Sequence, residues 1–506
     1  MRRSIWILIV AWVASAVEVV AQVRSEVRYN AEVTATFGSK DRTPFWLTAN
    51  RYGLGSVEDM NGYGRAGISG SVYLPKHWQI DAAVDVVAGW NMASDVWLQQ
   101  CYADFSWKML RVSFGAKESL PFPLEKNAEL TSGWMTEGIN MQPVPQIRLD
   151  IKEYLPIGFL GNWLALKGHL AYGKFTDGDW KEEFVPVGSE FTTDILYHSK
   201  SIMFRIGKKE KFPLEFEFGL QMATQFGGAI YKKLDNGEKE LVRKMPTDIG
   251  AYWAAFFPSH GGADTERGEQ TNVEGNMLGS WIFGLNYYLN DWKFRIHYDH
   301  YFEDHSQMFW EYGRWKDGQI GIEVTLPKNK WISNILWEGI NTTDQTGSIY
   351  YDAFDGTMLD AQTSGADNYY NHGYYNSWQH YGTAMGNPLI ISSIYNKNHS
   401  LTLRSNRMRA NHVGISGQPN DEWKWRLLAT HTKHWGTYSA PLDKVRKQFS
   451  GMVEVSYTPQ SIKGWNFTMA MAYDNGNYLG NCMGGMISIK KVGNIFNTDY
   501  KSTIAK

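Results

Sequence analysis

The sequence predicts an all-β protein, a transmembrane barrel of antiparallel strands. Three observations carry that expectation. Apolar and polar side chains alternate with a period of two in segment after segment of the 506 residues. Aromatic residues make up 15%, with 22 Trp, 28 Tyr and 24 Phe, beside 49 glycines. The mean hydropathy is −0.40, far too polar for a bundle of membrane helices. The 50 basic and 52 acidic residues nearly cancel, which argues against nucleic acid as the main partner.

The first element is a targeting segment. Arg2 and Arg3 precede an apolar run from Ile5 to Val17, and Val19, Val20 and Ala21 stand before Gln22. A short positive region, a short apolar core and small residues at −3 and −1 describe a secretory signal peptide over residues 1–21. The run is too short for a spanning helix, which needs about 20 apolar residues. Residues 22–506 are then expected to form a single barrel domain with long extracellular loops. Cys101 and Cys482 are the only cysteines. Export allows one disulfide or two free thiols, and the absence of a CxxC pair argues against a thiolate metal site.

The strands follow. Val27, Tyr29, Ala31, Val33 and Ala35 alternate with Arg28, Asn30, Glu32 and Thr34. Leu214, Phe216, Phe218, Leu220 and Met222 alternate with Glu215, Glu217, Gly219 and Gln221. Ile320, Ile322, Val324 and Leu326 repeat the pattern, as do Trp465, Phe467, Met469, Met471 and Tyr473. Successive strand residues point to opposite faces, so each segment has one greasy and one wet side. A soluble β-sandwich gives the same alternation. Segments of about 9–11 residues, long enough to cross a bilayer at a slant, favour the barrel. So do Trp163, Tyr172, Trp292, Tyr457, Trp465 and Tyr473 at strand ends, where interfacial girdles sit.

Connections are unequal. Asn290-Asp291 makes a tight turn, whereas Lys232 to Asn276 and Ala353 to Asn387 are long and polar. Short turns on one side and long loops on the other are the habit of membrane barrels, and about 485 mature residues suit roughly 16–18 strands. The closing strand is expected to end near residues 486–492, short of the polar terminus.

Catalytic signatures are absent: the chain has no GxSxG elbow, no HExxH helix and no GxxxxGK[ST] loop. His305-Ser306 are adjacent, but neighbours on a strand face opposite ways and make no catalytic pair. Two stretches are unusual. In the first, Arg295, His297, Asp299, Tyr301, Glu303 and His305 share one parity opposite Phe294, Ile296 and Tyr298, and are expected to line the lumen. Such a row either forms salt bridges within the lining or holds a polar ligand; a metal site from His297, Glu303 and His305 has no recognised spacing.

The second stretch, Gly365 to Pro388, contains Asp367, Asn368, Tyr369, Tyr370, Asn371, His372, Trp378 and His380. Rings stack on the C–H faces of sugars while amides and imidazoles reach hydroxyls, so the composition suits carbohydrate. A self-packed loop with an aromatic rim is the alternative. Arg404, Arg407 and Arg409 follow, placed for an acidic glycan or for lipid phosphates.

Four segments also resemble a known family. They are Thr43 to Gly53 (TPFWLTANRYG), His300 to Phe309 (HYFEDHSQMF), Asp367 to Asn371 (DNYYN) through Pro388, and Asn406 to Gly414 (NRMRANHVG). Together they look like the capsule assembly Wzi family, in its Bacteroides-like form. The resemblance implies a monomeric outer-membrane barrel of about 18 strands that binds capsular polysaccharide and helps attach or assemble the capsule. It implies no catalysis and no cofactor. A sugar-selective or general porin is the competing function, and a barrel enzyme acting on lipid or glycan a third.

The targeting segment gives the first test. N-terminal sequencing of protein recovered from outer membranes should read from Gln22. An intact Met1, or recovery as a soluble periplasmic protein, would overturn the signal-peptide assignment.

Overall fold

A computed structural model describes residues 24–118, 122–257, 275–303, 308, 315–350 and 363–498. The targeting segment, His305 and Ser306, and the last eight residues lie outside the described residues.

Eighteen antiparallel strands form one sheet that closes on itself. In chain order they are β1 (Arg24–Gly38), β2 (Met60–Leu74), β3 (Trp78–Trp90), β4 (Val96–Trp107), β5 (Leu110–Ala116), β6 (Gln146–Pro156), β7 (Leu164–Lys174), β8 (Leu196–Gly207) and β9 (Leu214–Phe226). They continue as β10 (Asn276–Leu289), β11 (Trp292–Glu303), β12 (Gly318–Thr325), β13 (Asn334–Asn341), β14 (Arg407–Gly417), β15 (Trp423–Gly436), β16 (Pro441–Tyr457), β17 (Trp465–Gly476) and β18 (Cys482–Asn497). Each pairs with its sequence neighbours, and β18 pairs with β1 from Glu26↔Asn497 to Gly38↔Gly484. The closing strand therefore runs past residue 492, to Asn497. Both cysteines are free thiols, Cys101 in β4 and Cys482 in β18.

Parity follows the alternation. On β9, Glu215, Glu217 and Gln221 are buried toward the axis, while Phe216 is exposed outward. On β17, Met469, Met471 and Tyr473 are exposed and Ala470 and Ala472 buried. Outward aromatics gather near the short turns, where Trp423 stacks on Tyr457 at 4.5 Å. One two-residue turn joins β10 to β11 through Asn290, whose φ of 51° is left-handed and suits asparagine. Both chain ends of the barrel, Arg24 and Asn497, lie at this short-turn end.

The opposite end carries the long connections, and three of them fold inward. Residues 39–59, 122–145 and 367–406 fill the lumen. Trp46, Leu130, Met135, Tyr369, Tyr370, Trp378, Met385, Ile390 and Leu403 from these segments are buried in one core with Met408, Ala410, Leu428, Met452 and Met486 of the wall. The protein's main apolar core thus sits inside the barrel. A fourth connection, 227–275, sends the helix Ile249–Phe256 back against the outside wall, where Tyr252 meets Tyr172 at 5.3 Å.

The inward filling changes one expectation. Inward positions were expected to face water, yet Gln221 is buried and donates to Glu137 of the plug. The inward face stays open near the short turns, where a vestibule of about 330 Å³ is lined by Ser69, Asp81, Asp104 and Arg111. Phe218 faces outward, stacked with Phe204 at 5.3 Å. Phe218→Arg should cost about 2–4 kcal/mol near the bilayer midplane, whereas Ser69→Lys, facing that vestibule, should fold normally. Heat-modifiable gel mobility after refolding into lipid reads both. Equal folding of the two variants would show that the faces are misassigned.

Candidate binding cleft at the loop end

The lumen-facing row of β11 is occupied by the plug and its neighbours. Arg295 donates to Glu217 at 2.7 Å and to Asn286 at 2.8 Å. Asp299 accepts from the backbone N–H of Met135 at 3.2 Å. Glu303 accepts from the Tyr301 hydroxyl at 2.7 Å and from the backbone N–H of Tyr370. His297 places Nε2 3.5 Å from Glu338, which itself accepts from the Thr131 hydroxyl at 2.7 Å and from the Ser132 hydroxyl and N–H at 2.6 and 2.7 Å. Lys126 of the plug lies 3.8 Å from Asp299 and donates to Gln319 at 2.7 Å. A buried charge is stable only when paired and hydrogen-bonded, so these contacts lock the plug to the wall.

The aromatic segment expected to offer rings to a ligand is mostly buried. Trp378 is 0% exposed and donates Nε1–H to the Thr136 carbonyl at 2.7 Å. Tyr369 donates to Asp317 at 3.1 Å, and Tyr370 to the Met135 carbonyl. His380 is buried, with Nδ1 2.9 Å from the Gln142 carbonyl, and burial holds its imidazole below its usual range. Asn371 is buried as well and donates to Leu403. Asp367, Asn368 and His372 are half-buried. Asn368 accepts from Asn371 at 3.1 Å and from Asn406 at 2.6 Å. Tyr369, Tyr370, Trp378 and His380 are therefore core rather than an open platform. The reason is physical: a ring with a polar tip can bury its body in the lumen and still satisfy its donor.

The arginines do not converge. Arg404 is exposed and donates to Asn398 at 2.8 Å. Arg407 lies over Tyr438 at 3.9 Å, and Arg409 faces outward from β14.

An open site is nonetheless present, above the plug. A cleft of about 360 Å³ opens at the long-loop end, within the size range of small-ligand sites. Its aromatic wall begins with the short helix Gly178–Phe184. Four-residue spacing puts Trp180 and Phe184 on one face, and their rings stack at 4.7 Å. His399 continues the stack on Phe184 at 4.9 Å. Two contacts hold the helix: buried Lys181 pairs with Asp177 at 3.1 Å, and half-buried Lys233 donates to the Glu182 and Val185 carbonyls at its C-terminus. Gly382, at φ 70°, lets the Trp180 ring approach the plug; a Cβ there would stand 2.4 Å from it.

Tyr381 forms the next edge, its N–H donating to Asp177 at 3.1 Å and its hydroxyl to the Thr176 carbonyl at 2.9 Å. The polar rim comes from the β1–β2 connection and residues 396–397. Arg42 is fixed by Asp474 at 2.6 Å and by the carbonyls of Leu479 and Gly480. Lys397 pairs with Asp41 at 2.6 Å, and that hydrogen bond and charge hold the Asp41 carboxyl below its ordinary range. Glu58, Asn91 and Asn396 also line the cleft. Stacked rings bordered by amides and paired charges can hold the apolar face of a sugar ring and bond its hydroxyls.

Apart from Tyr381, which lies in the aromatic stretch Gly365 to Pro388, sequence reasoning missed these residues. The Trp180–Phe184 spacing was a readable signal; the meeting with His399, over 200 residues away, was not.

No family model and no curated protein matches the chain. Among solved structures the fold is similar to Wzi of Escherichia coli, described as an outer membrane protein involved in group 1 capsule assembly and a carbohydrate-binding β-barrel. The TM-score is 0.55 at 12% identity, covering 91% of this chain and 83% of that one. It also matches OccAB4 of Acinetobacter baumannii, with a TM-score of 0.47, 9% identity and coverage of 94% and 100%. OccK5 (OpdH) of Pseudomonas aeruginosa gives 0.46, 9%, and 93% and 98%. At these identities the likeness is one of fold.

Core and cleft rings should behave differently. Trp378→Ala should cost about 3–5 kcal/mol and open the plug to protease, as emptied core sites do. Trp180→Ala, on the half-buried wall of the cleft, should leave thermal stability and protease resistance nearly unchanged. Indifference to loss of Trp378 would show that the segment is not core.

Proposed function

We propose that this protein is a non-catalytic carbohydrate-binding barrel of the outer membrane. In this reading it acts as a monomer after removal of residues 1–21, with its long loops outside the cell. It takes a capsular or related surface polysaccharide in the loop-end cleft and so helps attach or assemble the capsule. One observation carries the reading: the stacked wall of Trp180, Phe184 and His399 stands open above a lumen that the plug fills. A porin needs a continuous water path, and the buried core of residues 39–59, 122–145 and 367–406 stands across it. The fold likeness to a carbohydrate-binding barrel of capsule assembly supports the same direction. Binding needs no metal or cofactor in this account, because ring stacking and hydroxyl contacts suffice.

The test pairs binding with capsule retention. Trp180→Ala and Tyr381→Ala, each confirmed as inserted, should weaken binding of purified capsule about five-fold or more, the usual effect of losing a well-packed aromatic contact. Cells carrying them should shed capsule that wild-type cells retain. Wild-type retention in both variants would remove the cleft as the site. Steady conductance in a planar bilayer, relieved by the same capsule fragments, would instead favour the sugar-selective porin.

A further inference from the structure

The outer wall carries a feature that the cleft does not use. β14, β15 and β16 are adjacent, and their register sets Arg409 beside Lys433 and Lys433 beside Lys447. All three are exposed on the outward parity. Strands lie about 4.8 Å apart, so the row spans roughly 10 Å. Arg409 is oriented by a hydrogen bond to Asn341 at 2.9 Å and lies 5.8 Å from the Trp435 ring. Neither Lys433 nor Lys447 pairs with a carboxylate among the described residues. Asp443 is the one carboxylate on the outward parity of β16, and Arg446 holds it at 2.6 Å.

The height of the row is informative. Directly below it Asn411 and His431 are exposed beside Phe449, and further down the wall turns apolar, with Val453, Met471 and Tyr473 exposed. Lys447 stands ten residues above Tyr457 on β16. At about 3.3 Å per residue and a tilt near 40°, that is roughly 25 Å, the height of a barrel's apolar band. The cations thus sit at the upper edge of the lipid-facing belt. The row is also local. At the loop-end edge of β1, β2, β3 and β18 the outward residues are Phe37, Met60, Trp90 and Met483.

We infer that Arg409, Lys433 and Lys447 form a binding site for a phosphorylated glycolipid of the outer leaflet. The phosphate meets the arginine fork and two lysine charges, and the acyl chains lie on the apolar strip beneath. This rests on the outward face being in lipid, not on the cleft, and the two ideas fail separately.

The probe is phosphorylated lipid A, with its dephosphorylated form and a soluble uronic acid polymer as comparisons. Each is added to the full-length protein in detergent and followed by native mass spectrometry. Wild type should bind the phosphorylated lipid about ten-fold more tightly than the dephosphorylated one, with salt weakening the difference. Arg409→Gln/Lys433→Gln/Lys447→Gln should abolish that preference, and Lys447→Gln alone should reduce it. Gel mobility verifies that each variant is folded, and Trp180→Ala should bind lipid A as wild type does. Equal binding of both lipids, an unaffected triple variant, or displacement by the soluble polymer would each overturn the assignment.

Discussion

A bilayer offers no hydrogen-bond partner, so every backbone donor and acceptor within it must be satisfied by the chain itself. The rest of this structure depends on that constraint. Eighteen strands meet it only because the last pairs with the first, through a seam running from Glu26↔Asn497 to Gly38↔Gly484, near the two ends of the sequence. Closure then imposes one parity rule on every strand. Residues facing lipid must be apolar, and those facing the axis are free to be polar. The alternation of Leu214, Phe216 and Phe218 with Glu215, Glu217 and Gly219 is the local form of a global requirement.

Closure also creates a problem. An 18-stranded barrel encloses more space than its own inward side chains can fill. The chain fills it with its long connections, and the inward charges are placed to receive them. Glu338 binds Thr131 and Ser132, Asp299 binds Met135, and Glu303 binds the Tyr370 backbone. A row of Arg, His and carboxylates that reads either as a salt-bridged lining or as a polar-ligand site is spent on holding the plug. Breaking one partner of such a pair leaves a buried charge uncompensated, so the row specifies one plug conformation strongly.

This explains what the sequence disclosed and what it withheld. Strand identity and facing were legible at Ile296 against Arg295 and His297, because the period of two needs only local neighbours. The tight turn at Asn290 was legible for the same reason. The fate of Trp378 and Tyr370 was not. A segment of aromatics and amides suits a sugar and suits a polar-lined lumen equally well, and the deciding partners, Thr136 and Met135, lie over 200 residues away. Gln221 was read correctly as inward but wrongly as wet, since no local pattern announces that Glu137 and its segment fold against it. The cleft was hidden for a sharper reason: it joins Asp41, Trp180 and His399, three connections whose convergence is a property of the closed ring alone.

The plug and the cleft are one mechanical unit. Asp177 accepts from the Tyr381 N–H and pairs with Lys181, tying the cleft's helix to the strand-like edge of the plug. Trp180 rests where Gly382 leaves room, and Arg42 is anchored to Asp474 on the barrel wall. A binding surface built this way loses little freedom when a ligand arrives, because its rings are already fixed from below. A chain that opened its lumen would have to displace Tyr381 and with it the cleft. The same residues therefore cannot serve an open pore and a rigid loop-end surface at once.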